Sequence, residues 1–140
     1  MPIQRLFNIA ALSVLPFWVL IIFAPYWNMT NRLMQSLWIV GIPIAIYYII
    51  ALPRLKSLLS LFFRKDLYKL YLAAMGSPGS AVMMWAHVSA FDLFVGRYIY
   101  FDALDRSFSW FFIGPLLFVT MLLGPLGLGA YMLAVVAFTL

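Results

Sequence analysis

The chain has 140 residues, 66% of them hydrophobic and 9% charged, with a formal net charge of +5. A water-soluble domain is roughly 45–50% apolar and about 25% charged, so this composition excludes a soluble surface and points to an integral membrane protein of one domain, 1–140. Cysteine and glutamate are absent and His87 is the only histidine, which removes disulfides, thiol catalysis and cysteine-ligated metal centres and makes any metal site unexpected.

A membrane-crossing helix needs about 20 mainly apolar residues. Residues 6–27, LFNIAALSVLPFWVLIIFAPYW, meet that need, and Pro16 inside them predicts a kink. Trp18 and Trp27 suit interfacial or pigment-facing positions. The run follows a lone Arg5 and is too long for a signal-peptide core, so no cleaved signal is expected, and no arginine- and serine-rich transit segment precedes it. After the short connection NMTNR comes a second span, 33–52, LMQSLWIVGIPIAIYYIIAL, with Pro43 inside; the two form a hairpin.

Residues 53–72 mix leucine and phenylalanine with Arg54, Lys56, Arg64, Lys65 and Lys69. Leu55, Leu58, Leu59, Phe62 and Phe63 follow helical spacing, which predicts an amphipathic helix lying on the membrane; a polar loop with one helical turn is the plainer alternative. Basic residues placed beside apolar spans read as topology and as contact with an anionic leaflet, and no nucleic acid is expected. GSPGS, 76–80, breaks the chain and starts a third span, 80–102.

Residues 108–140 carry no charge. As one straight helix they would measure about 50 Å, more than a bilayer core of about 30 Å. GPLGLG, 124–129, is the expected interruption. One strongly kinked span over 108–138 is preferred, with a helix to Leu123 and a separate short helix as the rival. The fold class is therefore an all-α integral membrane bundle of four transmembrane helices, or five, plus the amphipathic helix. Arg5 and the five basic residues of 53–72 outnumber Arg32 and Arg106. The positive-inside rule then places both termini and the amphipathic segment on the cytoplasmic or stromal side of a plasma or thylakoid membrane.

The third span contains WAHVSAFDLFVGRYIYFD, 85–102, with four ionisable groups besides its tyrosines. Intramembrane ionisable groups usually face protein, water or a ligand. An unpaired ionised aspartate at mid-span costs about 2.5–3.5 kcal/mol on insertion scales. At about 100° per residue, Asp92 and Arg97 point about 140° apart, as do His87 and Asp92, so they form no single stripe. Tyr98 and Asp105 share the His87 side, with Asp102 nearby. Asp92 shares its side with Ser89, Trp85 and Gly96, and Gly96 would let a neighbouring helix come close. Two polar microsites completed by other helices are expected, with Arg97 near the far end able to reach outward. Structural roles compete: helix ties for Asp92 and Arg97, a helix–helix hydrogen bond for His87, solvated charges for Asp102 and Asp105. Aromatics make up 19% of the chain; they line a groove for a polyene or ring lipid, or form interfacial belts.

Three stretches carry a resemblance: LPFWVLIIFAPYWNMTNRLMQS at 15–36, WAHVSAFDLFVGRYIYFDAL at 85–104 and GPLGLGAYML at 124–133. In this order they resemble the neoxanthin-synthase-like, or abscisic-acid-deficient-four-like, membrane proteins. The resemblance implies a role in xanthophyll biosynthesis or binding, with a carotenoid as ligand. Plant members are needed to make neoxanthin from violaxanthin, a step that opens an epoxide and forms an allene without net redox change. Such an isomerase needs a proton donor at the epoxide oxygen and a base at the polyene carbon. The resemblance places His87, Asp92, Arg97 and Asp102 in that machinery, Asp92 or His87 as base and Arg97 supporting the alkoxide. His87, Trp85 and Tyr98 are the positions expected to bind a pigment. The chain lacks a plant transit segment, so the plant reaction need not carry over. The alternative is a pigment- or lipid-binding subunit of a photosynthetic complex, with His87 as axial ligand to a chlorophyll magnesium. A transporter or scaffold is the third class, and no clear inverted repeat supports transport.

Overall fold

The computed structural model describes residues 2–61 and 63–139. Among the described residues all regular structure is helical. The elements are α1 (Ile3–Phe23), α2 (Asn28–Gln35), a 3-10 turn (Leu37–Val40), α3 (Gly41–Ala51), a second 3-10 turn (Leu52–Arg54), α4 (Leu55–Leu61), α5 (Leu67–Met75), α6 (Pro78–Asp105), α7 (Trp110–Leu122) and α8 (Gly124–Thr139). Two stretches are long and apolar enough to cross a membrane, α1 and the helical run Leu37–Leu61; α7 and α8 are apolar but shorter.

The longest helix, α6, has 28 residues and is the axis on which α1, α3, α7 and α8 pack. Its start is fixed locally. Ser77 caps it, accepting the Ser80 N–H at 3.2 Å, and Pro78 stands in its first turn, where a missing N–H costs nothing. Its end is a Schellman arrangement: Phe108 N–H donates to the Ala103 carbonyl and Ser107 N–H to that of Leu104, each at 3.0 Å, with Ser107 at φ 56°. Along α6, α1 runs parallel and α3 antiparallel. Phe7 stacks on Trp85 with ring centroids 5.0 Å apart, and farther along Trp18 lies against Gly96. Tyr47 faces His87, and Arg54 packs over Gly79. A side chain at Gly96 would occupy the place of the Trp18 indole, so the glycine sets the close approach of α1.

Several sequence expectations change. The first span ends at Phe23, and the helical run of the second starts at Leu37, because residues 28–35 form their own short helix, α2, at the turn. Thr30 Oγ1 donates to the Ala24 carbonyl at 2.8 Å and anchors that turn. The amphipathic segment 53–72 is not one helix. Its first half continues the run from α3 into α4, a turn follows at 63–66, and α5 starts at Leu67. Arg64, Lys65 and Asp66 supply no apolar residue to carry a helical stripe across that point. Of the five apolar positions expected on its face, Phe62 lies outside the described residues.

The largest correction concerns 108–138, which is not one kinked helix. The helix stops at Leu122, and α8 begins at Gly124 and doubles back. Phe138, near the end of α8, lies 6.5 Å from the Phe112 ring and 5.6 Å from that of Phe108, and Gly127 lies on Thr120. With 13 and 16 residues, the two arms measure about 20 and 24 Å, short of a bilayer core of about 30 Å. Pro125 has no N–H to continue α7 and is at home in the first turn of α8. The hairpin also sets the start of α1 and the end of α8 at opposite ends of α6. The end of α8 sits by Phe108, at the Arg106 end of α6, whereas the start of α1 sits by Trp85, toward the Pro78 end.

Candidate functional site

The four positions expected to do chemistry all lie on α6, and its geometry separates them. Asp92 and Asp102 are about 15 Å apart along the axis, and His87 and Asp102 about 22 Å. His87 is exposed on the face shared with α3. Its ring stacks on Phe91 at 4.5 Å, with Tyr47 at 6.0 Å.

Arg97 does not reach outward, and it does not pair with Asp92. Its Nε donates to the Met34 carbonyl, its Nη2 lies 3.5 Å from the Gln35 carbonyl, and its guanidinium stands 5.1 Å from the Phe101 ring centroid. These carbonyls end α2 and have no partner within their helix. Arg97 therefore caps α2 and ties it to α6, with a cation–π contact alongside.

Asp102 is equally committed. It accepts from Arg106 Nε at 2.7 Å and from the Tyr131 hydroxyl at 2.6 Å. The carboxylate beside it holds the Arg106 guanidinium above its ordinary range. Tyr131, only 1% exposed, comes from α8 and was not singled out from the sequence. Its one signal there is a hydroxyl within an otherwise apolar run, which does not show what it meets. Arg97, Tyr98, Asp102 and Asp105 share a cleft of about 420 Å³ with Phe94 and Leu128. The two strongest groups in it already have structural partners.

Asp92 is different. Among the described residues the one salt bridge is Asp102–Arg106, and no hydrogen bond engages the Asp92 carboxylate. It lies on the wall of a cleft of about 230 Å³ between α1, α6 and α7, with Trp18, Trp85, Ser89, Val14 and Met121. Trp85, Ser89 and Asp92 share one face of α6, as the helical period requires, and neighbouring helices complete the site. The hairpin tip closes one side: Gly124 lies so near the carboxylate that any side chain there would overlap it. No group of three or more metal-ligating side chains occurs among the described residues.

The sequence profile described as ABA DEFICIENT 4-like matches residues 5–131. The chain belongs to the ABA DEFICIENT 4-like family. No curated protein and no solved structure matches it. The family match runs from α1 through Tyr131 of α8, so it takes in both clefts of this ABA DEFICIENT 4-like chain and the hairpin tip. Chemically the two clefts are unequal. Asp102 is fastened through its Oδ2 to Arg106 and Tyr131. Asp92 has no hydrogen-bond partner among the described residues and lies on a lined, concave surface.

Proposed function

We propose that this protein is an integral membrane protein that binds an epoxy-xanthophyll in the Asp92 cleft and isomerises its epoxide to an allene. Four segments meet the bilayer. α1, the run Leu37–Leu61 and α6 cross it, and the α7–α8 hairpin enters from the Arg106 side and turns back near mid-depth. Outward apolar side chains support this placement: Phe111 is 94% exposed, and Phe23, Leu133 and Phe138 are also open. A water-facing surface does not carry so many large apolar groups in one region. Family membership supports the xanthophyll role.

The observation that carries the proposal is the free Asp92 carboxyl in a cleft walled by two tryptophans. The mainly apolar lining suits a cyclic end group. A volume of about 230 Å³ holds that end and leaves the polyene along α1 and α6. The isomerisation takes up one proton and releases one. The ring-carbon–oxygen bond of the epoxide breaks as its oxygen is protonated. The C–H bond on the neighbouring chain carbon breaks, and its electron pair becomes the new double bond of the allene. A single carboxyl can serve both ends. The neutral acid gives its proton from one oxygen, and the carboxylate so formed takes the carbon-bound proton. The cost of an unpaired ionised aspartate at this depth, about 2.5–3.5 kcal/mol, is the reason to start the cycle from the neutral acid. Arg97, fixed on α2, and His87, on another face, take no part.

The test is an epoxy-carotenoid assay on reconstituted protein. Asp92→Asn, which keeps size and loses the transferable proton, is expected to lower turnover by about 10²-fold or more, while Asp102→Asn leaves it within a few-fold. Unchanged turnover in Asp92→Asn removes Asp92 from the chemistry. The exposed His87 imidazole beside Phe91 supports a second function, axial ligation of a chlorophyll magnesium in a photosynthetic complex. Tight chlorophyll that is lost in His87→Ala would favour it; carotenoid without chlorophyll would exclude it.

A further inference from the structure

The charges are distributed unevenly along the bundle. Arg5 opens α1, and Arg54, Lys56, Arg64, Lys65 and Lys69 lie between the end of α3 and α5. All six are at the Pro78 end of α6, where Asp66 alone opposes them. At the other end Arg32 and Arg106 are balanced by Asp102 and Asp105, and between the ends the formal charges of Arg97 and Asp92 cancel in the count, although the two side chains do not pair. The whole net charge of +5 therefore sits at one end.

Within that end the basic groups converge. Arg64, Lys65 and Lys69 line a cleft of about 390 Å³ with Asp66 and Leu70. Large apolar side chains stand open around it: Phe63 is 90% exposed and Tyr68 75%, and Leu59 and Leu72 are also exposed. No single solvent suits this mixture. Water penalises the phenylalanine and leucines, and hydrocarbon penalises the three cations. The membrane interface suits both, because apolar groups enter the acyl boundary while Lys and Arg ends stay among headgroups.

We propose that the α4–α5 end is a binding surface for anionic phospholipid headgroups, with Arg64, Lys65 and Lys69 closing around one headgroup phosphate. The inference rests on the membrane placement given above but not on the Asp92 chemistry. Open apolar side chains among the cations favour a lipid over a soluble phosphate, which offers them nothing. The bound lipid would hold α5 against the leaflet and neutralise charges that otherwise repel one another.

The test is lipid retention by the full chain in nanodiscs of mixed phosphatidylglycerol and phosphatidylcholine, read by native mass spectrometry. Wild type is expected to retain phosphatidylglycerol preferentially. The variant Arg64→Gln/Lys65→Gln/Lys69→Gln is expected to lose about fivefold in that preference for each charge removed. Arg32→Gln, an exposed cation at the opposite end, should change nothing, and added inorganic phosphate should not displace the lipid. Full retention by the triple variant overturns the proposal. So does equal loss in Arg32→Gln, which would mean diffuse attraction, or complete displacement by inorganic phosphate. If the triple variant loses helicity, Lys69→Gln alone with a salt titration gives the same readout. Carbonate extraction of each variant tests membrane integration separately, so failure of the headgroup site and failure of the membrane placement are distinguishable.

Discussion

Asp92 and Asp102 share one helix and have opposite fates. Asp102 is held by Arg106 and Tyr131, so its value is structural: it fastens the end of α6 to α8. Tyr131→Phe should destabilise the fold by about 1–2 kcal/mol, the cost of a lost hydrogen bond to a charged group, because Arg106 still pairs with the carboxylate. Asp102→Ala should cost more, since it strands a buried tyrosine hydroxyl. Thermal unfolding in detergent would rank them, and an unchanged midpoint in Tyr131→Phe would show that Tyr131 contributes nothing to the lock. At the end of α6, Ser107 holds φ 56°, a region that L side chains enter at a cost. Ser107→Gly should therefore raise stability by several tenths of a kcal/mol to about 1 kcal/mol, and a lowered midpoint would mean that the serine side chain has a role of its own. Much of the Asp92 face was legible in the sequence, because a 100° step places Trp85, Ser89, Asp92 and Gly96 together wherever α6 sits. Arg97 was not. An arginine near a span end looks free to snorkel, and nothing local shows that two carbonyls of α2 will meet it.

At the scale of elements, the hairpin of α7 and α8 was hidden for a physical reason. Residues 108–140 have no charge, so neither arm has a polar face to mark its packing, and no charged loop marks a change of side. Gly124 and Pro125 announce a break, but a break does not reveal whether the chain continues or turns back. The answer lies in small residues meeting partners from elsewhere: Gly127 makes room for Thr120, and Gly124 for Asp92. Gly127→Leu should force the arms apart, an overpacking cost of about 1–3 kcal/mol. The absence of cysteine allows a direct check. With Phe112→Cys and Phe138→Cys introduced together, a short bifunctional thiol reagent should bridge the two positions, and should fail to do so once Gly127→Leu is added. No bridge in the first variant would mean that the arms do not fold back. The amphipathic segment taught the same lesson in reverse. Its composition was legible, but the register at which it breaks was decided by three consecutive charged residues, Arg64, Lys65 and Asp66.

For the whole molecule, charge distribution was the most legible property and connectivity the least. Six basic residues outside the third span, set against two at the other end, can be counted in any fold, so the identity of the positive end survives every correction made to the helices. The position of the C-terminal end does not, because it depends on whether the final segment crosses or returns. The structure places the starts of α1 and α6 at one end and the end of α8 at the other. In a bilayer this puts Gln4 on the side of α4 and α5, and Thr139 on the side of Arg106. Single variants Gln4→Cys and Thr139→Cys, in sealed vesicles of known orientation, should then react with a membrane-impermeant maleimide from opposite sides. The positive-inside rule further requires Gln4→Cys to label from the cytoplasmic or stromal face. Labelling of both from one face would restore a single kinked crossing for 108–138. It would also separate Gly124 from Asp92, and with it remove one wall of the cleft to which the isomerisation is assigned. Opposite-side labelling keeps that wall at mid-depth, where the cyclic end of a long apolar substrate can reach a carboxyl that no cation neutralises.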